Sequence, residues 1–107
     1  MSAPWNAHVR FTAASPADRA HGLLGFVAFD HGGLRIDGVA VRQSRSGRIV
    51  LSYPERPSRG GGRYPIVRPL DDATRRALEG RILDALAPEL AALEREERDA
   101  RRTEGSR

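Results

Sequence analysis

The chain has no cysteine and no lysine; all 18 of its basic residues are arginine. Without a thiol there is no disulfide framework and no thiolate to act as nucleophile or metal ligand. No apolar run approaches the roughly 20 residues that a membrane-crossing helix needs. The start, MSAPWNAHVR, lacks a basic segment followed by an apolar one, the pattern of a secretory leader. These absences lead to the expectation of a cytoplasmic bacterial protein with no membrane partner. His8, His21 and His31 do not fall at metal-ligand spacing, and no serine sits in the strand–turn–helix setting of a nucleophile elbow. The reading is therefore of a non-enzyme, with no cofactor, no metal and no small-molecule substrate.

What is present fits one domain. At 107 residues the chain has room for one modest core, and folding at this size hides roughly two thirds of the surface of the open chain. The enrichment in arginine, alanine, glycine and proline is what a GC-rich coding sequence produces. Its chemistry follows regardless, because a guanidinium is a rigid fork of donors that suits phosphates and guanine edges. The distribution of charge says more than its total of +4. Between Arg42 and Arg68 seven arginines face a single acid, Glu55, a net +6 in a quarter of the chain. From Asp71 onward eight arginines meet ten acids.

Periodicity orders the chain into strands and then a helix. After a loose start ending at Trp5, the stretch Ala7 to Ala13 alternates as a half-buried strand does. Ser15-Pro16 breaks it, and a polar, turn-like stretch reaches Gly22. Leu23 to Phe29 is a nearly continuous apolar run and reads as the most buried strand. Asp30 to Gly33 is a hairpin turn, and Leu34 to Arg42 a third strand, with a β-bulge expected at Gly38. Ser44 to Gly47 turns the chain into a fourth strand, Ile49 to Tyr53. Glu55 to Gly62 reads as a flexible loop and Arg63 to Leu70 as a fifth strand, confined to an edge by Pro65 and Pro69.

From Asp71 or Asp72, a good N-cap, the apolar period changes. Leu78, Ile82, Leu86, Leu90 and Leu93 form one helical stripe. Pro88 predicts a kink or break, and the charged residues 94–107 a frayed tail. The expected fold class is α+β: an antiparallel five-stranded β-meander with a C-terminal helix packed on it. The domain spans 1–93 and the tail 94–107. The unprotected edge and second face of such a sheet predict a homodimer.

The segment from Gly25 to Leu86 resembles the SpoVG (septation protein) family. The resemblance rests on Phe29-Asp30-His31 at a strand end, Leu34-Arg35-Ile36-Asp37-Gly38-Val39-Ala40-Val41 as a central strand, and Val50-Leu51-Ser52-Tyr53-Pro54-Glu55-Arg56. Arg63-Tyr64-Pro65-Ile66-Val67-Arg68-Pro69-Leu70 and the Thr74-Arg75 pair at the helix start complete it. Glu55 where the family has a small residue, and the glycine-rich loop, depart from its pattern. The resemblance implies a strand-paired dimer that binds DNA and RNA, with links to septation and sporulation. The candidate contacts are Arg45, Arg48, Arg56, Arg59, Arg63, Arg75 and Arg76, with Tyr53 and Tyr64 as stacking platforms for unpaired bases. Each has a plainer reading: exposed arginines keep a sheet soluble, the tyrosines fill a core, and Arg75 pairs with Glu79 one helical turn on. A second function is a protein-interaction module of the division machinery, acting through the sheet edge and the charged tail.

Overall fold

The structure, a computed structural model, describes residues 9–105. The loose start ending at Trp5, the first residues of the predicted opening strand (Ala7, His8) and Arg107 lie outside the described residues. Eight elements follow in order: β1 (Val9–Ala13), α1 (Pro16–Ala20), β2 (Leu23–His31), β3 (Leu34–Gln43), β4 (Ile49–Ser52), β5 (Glu55–Pro57), β6 (Arg63–Pro65) and α2 (Asp72–Gly105). The α+β class stands, with an antiparallel sheet and a long C-terminal helix.

The sheet holds four strands in the order β1-β2-β3-β4, each antiparallel to its neighbour. β2 and β3 meet through a two-residue turn, since His31 pairs with Leu34. Gly32 and Gly33 both take positive φ there (58° and 81°), which matches the right-handed twist of the flanking strands. The pairing runs Val27 to Val39 and then Phe29 to Ile36, so β3 carries one extra residue at Asp37-Gly38. That is the expected bulge, with Gly38 at φ 75°.

The predicted fifth strand does not join this sheet. Residues 63–65 pair with Glu55–Pro57 in a separate two-stranded hairpin. The reason lies in proline chemistry: Pro54, Pro57 and Pro65 cannot donate to a continuing ladder. The short loop between them closes a local hairpin more cheaply than a return to the sheet would. Part of the stretch read as a flexible loop, Glu55 to Gly62, is thus a strand. Its tip is tied by Ser58 N–H to Gly62 O at 2.8 Å.

Two further expectations need correction. Residues 16–20 form one helical turn, with Ser15 as N-cap accepting from the Asp18 amide at 3.2 Å and Pro16 in the first turn. And α2 runs unbroken through Pro88 to Gly105, so the predicted break is absent and residues 94–105 continue the helix. Proline removes one amide donor, while the stripe around it goes on packing. Leu86 is buried before it, and Leu90 is held half-buried against the core after it.

The core lies between the sheet and α2. Val27, Phe29, Val39 and Val41 from the strands meet Leu78, Ile82 and Leu86 from the helix, and Phe29, Val39, Val41 and Ile82 are fully covered. Burying a side chain of this kind is worth about 1.5–3 kcal/mol relative to exposure. Val9, Phe11, Ile36, Ile49, Leu51 and Tyr53 pack around this centre.

Candidate nucleic-acid interface

The seven candidate arginines fall into two groups at opposite ends of β4. Arg45 and Arg48 stand in the turn before it; Arg56, Arg59 and Arg63 belong to the β5–β6 hairpin after it. Arg75 and Arg76 begin α2 on the hairpin side, since Tyr53, which leads into the hairpin, feels the charges of Glu79 and Arg75.

The β3–β4 turn is held firmly by its own backbone and serines. Ser44 N–H donates to Arg48 O at 2.8 Å, Gly47 N–H to Ser44 O at 2.9 Å, and Arg48 N–H to Ser44 Oγ at 3.2 Å. Arg45 and Arg48 project from this frame, exposed. Arg45 also rims an open polar depression of about 370 Å³ together with Arg19, His21, Gln43 and Ser44.

In the hairpin, Arg56 lies directly across from Tyr64. The two line an open depression of about 340 Å³ with Pro65 and Ile66. Tyr64 and Ile66 are 58 % and 63 % exposed, a large uncovered apolar area next to a guanidinium. Arg59 stands exposed at the tip. Arg63 is occupied: its Nε lies 3.2 Å from Glu55 Oε1.

At the helix start, the Asp71 carboxylate accepts from the Thr74 amide at 2.8 Å, which holds its pKa below the usual aspartate value. Arg75 is neutralised within the helix, with Nη2 3.2 Å from Asp72 Oδ1 and Nη1 3.0 Å from Glu79 Oε1. The expected pair of Arg75 with Glu79 is present, and an added phosphate would have to compete with two carboxylates. Arg76 is exposed and unpaired among the described residues, as are Arg45, Arg48, Arg56 and Arg59.

The tyrosines also part ways. Tyr64 is available for stacking, while Tyr53 packs against the core and its hydroxyl is buried without a hydrogen-bond partner. Burial, then the nearby Glu79, pushes its pKa up, with Arg75 pulling the other way.

Two features were missed by sequence reasoning. Arg19 is nearly covered, with Nη1 donating to Ala14 O at 2.6 Å and its guanidinium 3.6 Å from Glu96 and 3.7 Å from Glu97. It ties α1 to the far half of α2. Ser15-Pro16 with Asp18 three residues on was a legible helix-start signal, but the reach to residues 96 and 97 was not. The second is Phe26, 43 % exposed within the strand read as most buried. Among the described residues no cluster of histidine and carboxylate side chains could hold a metal ion, and no helix is long and apolar enough to cross a membrane.

Comparison of the chain with known protein families, with characterised proteins and with solved structures yields no match.

Proposed function

We propose that this protein is a non-catalytic, cytoplasmic nucleic-acid-binding regulator that works as a homodimer, akin to the SpoVG proteins it resembles in sequence. The observation that carries the reading is a set of exposed arginines unpaired among the described residues: Arg56, Arg59 and Arg76 at the hairpin end, Arg45 and Arg48 at the other end of β4. Unpaired guanidiniums beside an exposed tyrosine suit phosphates and stacked bases. The dimer would form by pairing of β4, an edge strand bonded among the described residues to β3 alone, whose residues Ile49 to Ser52 include no charge and no proline to discourage a partner strand. A role in septation or gene regulation follows from the resemblance.

The test is a binding titration of DNA and RNA at several salt concentrations, comparing the parent with Arg56→Ala/Arg59→Ala/Arg76→Ala. Loss of three phosphate contacts lowers the slope of log K against log salt by roughly 2–3 on duplex DNA. An unchanged slope would remove these residues from the interface. No binding by the parent would favour a protein-interaction module instead, for which the charged, helical continuation of α2 to Gly105 offers a surface. In that case deleting residues 94–107 abolishes capture of the partner.

A further inference from the structure

The four-stranded sheet has one face packed on α2 and another that turns away from it. Strand alternation sends Val27, Phe29, Val39 and Val41 toward the helix. Their neighbours in sequence stand on the opposite face. There a single row crosses all four strands, Thr12–Phe26–Ala40–Ser52, fixed by the pairing register. Arg10 and Arg42 stand on the same face, two residues beyond Thr12 and Ala40 and displaced in opposite directions along the strands. One diagonal therefore reads Arg10, Phe26, Arg42, with steps of about 7–8 Å between diagonal neighbours. Both arginines are exposed and unpaired among the described residues. Phe26 takes no part in the core cluster.

Beside the ring lies an open depression of about 190 Å³, lined by Arg10, Thr12, Phe26, Ala28 and the bulge residues Asp37 and Gly38. The extra residue of the bulge places Asp37 at this depression, which Thr12 and Arg10 also line. An exposed aromatic residue thus shares this depression with a carboxylate-, a hydroxyl- and a guanidinium-bearing residue.

The geometry points to this face as the platform for an unpaired nucleic-acid strand, one base stacked on Phe26 and phosphates held by Arg10 and Arg42. It rests on the nucleic-acid reading above and names the form of ligand. A second copy of the chain fits the face poorly. Even the whole outer face, 28 strand residues each covering about 4.8 by 3.3 Å, comes to roughly 450 Å², short of the ~800 Å² per partner of a standard interface. Two-fold pairing would also bring the arginines of both copies into one small buried area. A single strand, by contrast, offers a flat base to the ring and anionic groups on either side of it. Asp37 can accept from the exocyclic amino group of a stacked base.

The experiment measures binding of the full chain to a labelled ten-nucleotide single strand, as RNA and as DNA, and to the matching duplex. Phe26→Ala weakens single-strand binding by roughly 5- to 150-fold and leaves duplex binding within about two-fold. Phe26→Trp keeps the affinity and shows quenching of indole fluorescence on binding. Phe26→Leu, which preserves apolar volume without the ring, behaves as Phe26→Ala and guards against a folding artefact, with circular dichroism as the check. If all three variants bind single strands as the parent does while the Arg56/Arg59/Arg76 variant loses affinity, the platform is refuted and the basic hairpin remains. If the parent binds no nucleic acid, both readings fall. If Phe26→Ala instead turns a dimer into a monomer in sedimentation, the face belongs to a second copy and the inference is overturned.

Discussion

The sheet–helix body and the β5–β6 hairpin are built from one chain on opposite terms. In the body, four strands and α2 enclose side chains that are fully covered, Phe29, Val39, Val41 and Ile82 among them. In the hairpin every strand residue is exposed, and the fold is held by backbone bonds and one ion pair between Arg63 and Glu55. Apolar burial supplies the stability of the first region. The second contributes little to stability and leaves Arg56, Arg59, Tyr64 and Ile66 open to a ligand. A chain of this size concentrates its burial in one place and keeps its chemistry where burial is absent.

The contrast is sharpest in the core. Phe29→Ala should cost about 3–5 kcal/mol in chemical denaturation, whereas Tyr64→Ala should stay within about 0.5 kcal/mol of the parent. A large loss from Tyr64→Ala would mean that the hairpin is part of the body after all. An intermediate effect is expected from Arg19→Met, which removes the tie between α1 and the far half of α2. The cost should be about 1–2 kcal/mol, because the arginine is covered but its glutamate partners are largely exposed. Hydrogen exchange should quicken over residues 94–103 and stay unchanged around Ile82. Uniform quickening along the helix would show that α2 opens as one unit.

The smallest effect concerns Tyr53, at the junction of the two regions. Its pKa in the folded state is raised, chiefly by burial. A group of this kind stabilises the fold at pH below its unfolded value, about 10, and loses that contribution as pH rises through the folded value. Stability should therefore decline in alkaline titration above about pH 10. Tyr53→Phe should flatten this decline and be neutral or slightly stabilising near pH 7, since it removes a buried hydroxyl that has no partner. A clear loss of stability near neutral pH would show that the hydroxyl makes a bond.

Much of the body was legible beforehand. The two-residue turn at Gly32-Gly33, the bulge at Gly38 and the stripe from Leu78 to Leu90 each follow from local rules of conformation and period. The hairpin was less so. Arg63 to Pro65 has the composition of a strand, but composition does not name the partner, and the partner proved to be Glu55 to Pro57. The candidate site was legible as a set of arginines and illegible as a surface. Which of them carry carboxylates beside them depends on geometry: Arg75 and Arg63 do; Arg56, Arg59 and Arg76 do not.

Phe26 shows where the limit falls. In the run Leu23 to Phe29 every position but Gly25 is apolar, so alternation cannot be seen, and the whole run reads as interior. Only the register with Thr12 and Ala40, and a helix on one side of the sheet alone, decide that Val27 is covered and Phe26 is not. The sequence by itself determined the four strands of the sheet and the apolar stripe of α2, because period, caps and turns act over a few residues. Which face met the helix, which strand found which, and which charges stayed free were decided by contacts between residues far apart in the chain. Those contacts exist only once the sheet and α2 have packed.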